Sequence, residues 1–196
     1  MIFNLFIEGK IGVFLLLGSQ KKIIYLNIMK NNIYKGTAEH PFHLSVGAVL
    51  VNNKNEICCH YFKKFKSKTD LIELENFYIL MRETLESKET LEQAVLRGIS
   101  EEFGATGDIL DYVGSIKSQF NRLNTPVEKT TLYFLVKLNN FDLSLRMKDD
   151  EEKLSEIQWH PIDFLISKMK DQSQRYKRTD IDESNILERV KNMLDV

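Results

Sequence analysis

The sequence predicts an α/β fold, and three stretches carry that prediction. Residues 44–51 form a short apolar, β-branched run and residues 56–65 alternate more loosely. Asn52-Asn53-Lys54-Asn55 between them is turn chemistry, so the pair reads as a β-hairpin. Thr90 followed by Gln93 is a capping-box pattern that starts a helix near Leu91. Leu91, Ala94, Val95, Ile99 and Phe103 then recur at helical spacing as one apolar stripe, and Gly104 stands where a left-handed cap ends the helix. Residues 130–137, rich in Tyr, Phe and Val, are the strongest strand candidate in the chain.

At 196 residues the chain has room for one domain with a full core, plus extensions. A net charge of −1 argues against a dedicated nucleic-acid binder, which carries a clear basic excess. Cys58 and Cys59, the only cysteines, are adjacent and would face opposite sides of a strand, so no bridge between them is expected. No Cys/His metal-ligand spacing is present, and a reducing, cytoplasmic compartment is the simplest reading.

The first 28 residues differ in character from the rest. Residues 11–17 are apolar but too few to span a bilayer, so no membrane segment is expected. Three readings stay open: a signal peptide, a natural start at Met29-Lys30, or an extra hairpin turning at Gly18-Ser19-Gln20. Lys63, Lys64, Lys66 and Lys68 follow the first hairpin, as a solvated edge or as an attractor for phosphate. Residues 109–116 read as a further strand, residues 121–128, with Pro126, as a loop, and residues 171–178 as a polar linker. Ile186, Leu187, Val190, Met193 and Leu194 share one helical face, so a final amphipathic helix packs on the domain or on a second copy of the chain, as a homodimer would require.

Chemistry concentrates on the first helix. Arg97, Glu101 and Glu102 lie away from the stripe, and Arg97 and Glu101 can pair at i,i+4. Adjacent carboxylates at a helix end can hold a hard divalent cation. They can equally be a solvated acidic face.

The stretch from Glu83 to Ala105 resembles the Nudix box, G-x5-E-x7-R-E-U-x-E-E-x-G-U, where U is a bulky aliphatic residue. Glu89 matches the first Glu, Arg97 the Arg, Ile99 the following U, Glu101 and Glu102 the Glu pair, and Gly104 the last Gly. The stretch departs from the pattern at Glu83 for the opening Gly, Lys88 for a Gly common before the first Glu, and Ala105 for the final U. Above all, Gly98 replaces the Glu that should follow Arg97. A glycine inside a helix costs about 1 kcal/mol relative to alanine, a cost that hints at close backbone approach.

The resemblance implies an α/β/α sandwich around a mixed β-sheet. The expected organisation is an N-terminal extension over residues 1–28, a Nudix-like domain over 40–170, and a linker with a C-terminal amphipathic helix over 171–196. It implies hydrolysis of a small-molecule diphosphate, a nucleoside diphosphate linked to another group, with Mg2+ or Mn2+. Glu101, Glu102, Arg97 and Glu89 would be the catalytic set, with Arg97 and Glu89 bracing the loop before the helix. In the family that loop is glycine-rich, whereas Met81-Arg82-Glu83-Thr84 has no glycine, so Arg82 would either replace part of its backbone donors by pairing with phosphate or stand as a surface arginine without a ligand. Metal ligands would be Glu101 and Glu102, completed by Glu151 or Glu152 from the acidic run at 149–152, a run that otherwise reads as a solvated loop. Residues 156–159 and the segment after Pro161 would be the closing strand and last helix. The depleted box also fits a noncatalytic nucleotide-binding or regulatory module.

Overall fold

The computed structural model describes residues 2–7, 10–17, 20–26, 32–66, 73–122, 124–147 and 154–195. Strands β1 (Ile2–Ile7), β2 (Lys10–Leu17) and β3 (Gln20–Leu26) pair antiparallel in that order, within a compact unit covering Met1–Asn32. The pairing of β2 with β3 is what the extra-hairpin reading requires.

The second unit, Ile33–Val196, holds a seven-stranded mixed sheet. Its elements are β4 (Phe42–Val51), β5 (Glu56–Phe65), β6 (Leu74–Ile79), β7 (Met81–Thr84), α1 (Leu91–Phe103), β8 (Ala105–Arg122), β9 (Thr125–Phe141), β10 (Glu156–Pro161), α2 (Ile162–Tyr176) and α3 (Ser184–Met193). Strands run β10-β5-β4-β9-β8, with β6 on β5 and β7 on β4. Among the described residues only β4 and β9 pair in parallel.

Alternation along the strands divides the core between two faces. Val46, Ala48, Leu50 and Cys58 meet Val95, Ile99 and Phe103 of α1 on one face. Val49, Cys59, Tyr133 and Leu135 meet Leu165 and Met169 of α2 and Ile186, Leu187 and Val190 of α3 on the other. The result is the α/β/α sandwich, with α3 packed back on the domain. The two cysteines are buried and free, one on each face.

β4 and β5 share a single rung, Val51 with Ile57, and then diverge. β5 goes on to pair with β6, and β4 with β7. This split opens a cleft between two wings of the sheet, and the candidate site lies there.

Three expectations about elements need correction. The loop expected over 121–128 is largely strand, because β8 runs to Arg122 and β9 starts at Thr125, with Asn121 opposite Pro126. Residues 171–178 are not a linker. α2 runs through them to Tyr176, held by buried Gln172, whose amide nitrogen donates to the Tyr78 and Ile181 carbonyls at 2.8 and 2.9 Å. Residues 81–84 form strand β7 on β4 and not a loop, so the absence of glycine there is consistent with extended backbone.

Candidate active site

Local sequence sets α1 in place as expected. The Thr90 hydroxyl accepts from Gln93 N–H, the Gln93 side chain accepts from Thr90 N–H, and Gly104 closes the helix at φ 66°. Val95, Ile99 and Phe103 are fully buried, and Leu91 packs partly exposed at the margin. Gly98 is buried too. A Cβ built on it would lie 2.7 Å from Met81 Sδ and 3.0 Å from Glu83 Cβ, so the glycine lets α1 press onto β7.

Arg97 gathers the acids around the start of the helix. Its Nε and one terminal nitrogen donate to both oxygens of Glu89, at 3.1 and 2.8 Å. That nitrogen also donates to the Thr84 carbonyl at 3.0 Å, which ties β7 to the helix. The other terminal nitrogen reaches Glu101 at 3.3 Å and Glu83 at 3.4 Å. Hydrogen bonding to Arg97 holds the Glu89 carboxyl below its usual range. Lys88, which precedes Glu89, has φ 80° and so keeps a glycine-like conformation without a glycine.

Glu101 and Glu102 occupy opposite environments. The Glu101 side chain is 36% exposed and faces Arg97. Glu102 does not leave the apolar stripe as expected. It is only 3% exposed, one turn beyond Gly98, in a gap that β5 fills with His60. Its Oε2 lies 2.7 Å from His60 Nε2, while its Oε1 is buried with no hydrogen-bond partner. The other His60 nitrogen lies 2.8 Å from the Ser155 hydroxyl, to which Arg146 donates at 2.6 Å. Burial pushes the Glu102 carboxyl up to about 8, against the opposing pull of Lys129 and Arg146. Burial likewise raises Glu83, with Arg97 opposing and the charges of Glu102 and Glu101 adding.

Arg82 lies on the other face of β7. Its Nε donates to Glu183 at 2.7 Å and a terminal nitrogen to the Asp180 carbonyl at 3.3 Å. Glu183 is fully buried and also accepts from Leu80 N–H at 2.7 Å and the Tyr133 hydroxyl at 2.5 Å. Arg82 therefore reaches the cleft already paired. Glu151 and Glu152 lie outside the described residues. The described positions on either side meet the site: Met147 N–H donates to the Glu101 carbonyl at 2.8 Å, and Ser155 meets His60. Lys64 is exposed and paired with Glu73 at 3.0 Å, while Lys68 lies outside the described residues.

Glu102, His60 and Arg82 line one cavity of about 360 Å3, together with Lys129, Phe62, Phe65, Phe77 and Phe120. His60, Lys129 and Glu183 were not singled out from sequence. Strand alternation carried a signal for the first two. His60 shares a face with buried Cys58 and Phe62, and Lys129 shares one with Val127, Thr131 and Tyr133. Glu183 has no comparable signal.

Among the described residues, no three His, Cys, Asp or Glu side chains stand as a ready cation cage. The donors nevertheless suit a hard cation. Glu102 Oε1 is a buried acceptor without a donor, and Glu83 and Glu101 are close enough for their charges to interact.

A family model of the NUDIX domain matches residues 41–180. Similarity to a Mycobacterium tuberculosis protein named as a mutator protein, MutT4, amounts to 32% identity over 85 residues, which is 43% of this chain and 33% of that one. The chain thus spans about a third of that relative's length. Among solved structures, a NUDIX hydrolase from Nitrosomonas europaea superposes with a TM-score of 0.52 at 13% identity, covering 78% of this chain and 88% of that one. The NUDIX domain of Shewanella oneidensis NrtR, solved in complex with ADP ribose, superposes with a TM-score of 0.51 at 13% identity, covering 77% and 87%. At that identity the two superpositions show a shared fold.

Proposed function

The chain belongs to the Nudix family, and from that membership we propose that it is a pyrophosphohydrolase acting on a nucleoside diphosphate linked to another group. The observation that carries this reading is the buried Oε1 of Glu102, which has no hydrogen-bond partner, on a residue that lines a cavity large enough for a small molecule and is backed by the Glu89–Arg97 brace. Family members generally use divalent metal ions, and here Mg2+ or Mn2+ would be held by Glu102 and Glu101, with Glu83 beside them and Glu151 or Glu152 as the further donor. Such an ion supplies charge neutralisation at the diphosphate oxygens and an acidified water. The protein's own part is positional. His60 fixes one oxygen of Glu102 and leaves the other without a hydrogen bond, and Arg97 ties β7 to the helix. Buried, free cysteines fit the cytoplasmic reading.

A panel of diphosphate-linked nucleosides, with product release followed with and without Mg2+ or Mn2+, tests this. Hydrolysis of at least one compound, abolished by chelation, is expected. No turnover anywhere on the panel would refute it and favour the second reading, a noncatalytic nucleotide-binding module. One observation supports that second reading: position 98 is filled by close packing and offers no carboxylate.

A further inference from the structure

The cavity has two chemically distinct ends. Phe62, Phe65 and Phe77 form its apolar end, with Phe62 and Phe65 ring centroids 4.8 Å apart and Phe65 stacked on Phe77 at 5.7 Å. Arg82, Glu102 and Lys129 form its charged end, and Arg178 and Asp180 stand at its wall. Most of these charges are answered within the protein: Arg82 by Glu183, Arg178 by Asp180 and Glu102 by His60. Lys129 is held only at a distance, by the charges of Glu102, Glu183 and Glu83, with Arg82 opposing. Among the described residues it makes no hydrogen bond and no ion pair.

Lys129 is fixed in the sheet. It sits in β9 between Val127 and Thr131, opposite Ser118 of β8 and beside His43 of β4. A lysine on a rigid strand, turned into a cleft and removed from most of its water, carries a desolvation cost that these carboxylates offset only in part, since burial and the neighbouring Arg82 hold its ammonium below the usual range. An anion entering the cleft offsets that cost, and at the aromatic end the half-buried Phe65, backed by buried Phe62 and Phe77, offers a surface for a flat ring. We propose that Lys129 is the anion anchor of this cavity, taking a phosphate of a nucleoside diphosphate whose base lies toward Phe62, Phe65 and Phe77. This assignment rests on the reading of the cleft as a diphosphate site. It adds the residue that recognises the phosphate and the direction in which the ligand lies.

The test is binding in metal-free buffer, where hydrolysis does not intervene. ADP, GDP, CDP and UDP are titrated calorimetrically into the full chain, Lys129→Met and Lys129→Arg, with the four nucleosides as controls. The parent should bind at least one diphosphate more tightly than its nucleoside. Lys129→Met should weaken that binding roughly tenfold or more, the scale expected on losing a desolvated charge pair, while nucleoside affinity stays within about threefold. Lys129→Arg should keep most of the affinity. Unchanged diphosphate binding by Lys129→Met would show that the lysine only balances Glu102, and would overturn the proposal. So would an equal loss for nucleoside and diphosphate, or a parent that binds none of the four. Thermal unfolding of Lys129→Met, expected to match or exceed the parent, shows that the variant is folded. If diphosphates bind through Lys129 but are never hydrolysed with metal present, the hydrolase reading fails and this one stands.

Discussion

Replacing Gly98 with alanine should destabilise the protein, although helix propensity alone predicts the opposite. Removing an interior helix glycine gains about 1 kcal/mol. Against that, the new Cβ would sit 2.7 Å from Met81 Sδ, 2.8 Å from Met81 Cε and 3.0 Å from Glu83 Cβ. Met81 is fully buried, so its side chain has little space into which to retreat, and overpacking of this kind costs about 1–3 kcal/mol. The expected net effect of Gly98→Ala is a loss of about 0–2 kcal/mol. Gly98→Glu should lose more, because it adds a carboxylate next to Glu83, which burial and its acidic neighbours already disfavour as an anion.

Glu83 stands where the family pattern has glycine, and Gly98 where it has glutamate. Their side-chain positions adjoin, so the two departures are coupled. Glu83→Gly should rescue part of the damage done by Gly98→Glu, with a favourable coupling of about 1 kcal/mol in a double-mutant cycle. Urea denaturation of the four proteins in chelator, repeated across a Mn2+ series, measures it. A gain of the full 1 kcal/mol in Gly98→Ala would show that α1 does not press on β7. Additivity within about 0.3–0.5 kcal/mol would show that positions 83 and 98 are independent.

Lys88→Gly should stabilise the protein by about 1 kcal/mol in urea denaturation, since Lys88 is exposed and held at φ 80°. A loss of stability would mean that the lysine side chain matters more than its strain. Arg97→Lys should cost about 1–3 kcal/mol, because a lysine cannot keep the two-pronged contact with Glu89 together with the Thr84 carbonyl; a cost under about 0.5 kcal/mol would remove the brace from the account. Glu102 takes up a proton on folding, its carboxyl standing at about 8 against an ordinary 4.5. Its contribution to stability is therefore most favourable below the ordinary value and declines as pH rises through about 8. Glu102→Gln should flatten that decline in metal-free unfolding experiments between those pH values, and an unaltered slope would contradict the burial.

What could be read from the sequence depended on whether periodicity or long-range contact fixed each feature. The hairpin, the capped helix, the strand at 130–137 and the final amphipathic helix follow local rules, and each stands where those rules put it. Two of the misreadings share one cause: polar residues retained by distant partners. Gln172 extends α2 through the expected linker by bonding Tyr78, 94 residues away in sequence. Arg82 is anchored from β7 by Glu183, 101 residues on. Glu102 looked solvent-facing because Gly98, one turn earlier, adds nothing to an apolar stripe, although both are buried.

The same distinction explains what the cleft still lacks. Within the protein, nearly every charge around it finds a partner that sequence position could not have revealed. Among the described residues two groups in the cleft lack a direct partner: the Glu102 Oε1, which has no hydrogen bond, and the Lys129 ammonium, which feels Glu102, Glu183 and Glu83 only across a distance. Both residues line one cavity, where their charges attract each other without a direct ion pair. A protein built only for stability would gain by closing that gap or by replacing both groups with apolar ones. A cation satisfies the first, an anion the second, and a metal–diphosphate pair satisfies both in one binding event. Metal and diphosphate should therefore each raise the affinity of the other, by the same factor. Titrating Mn2+ with and without ADP, and ADP with and without Mn2+, measures both sides of that equality, and independence of the two would separate Lys129 from the carboxylate site.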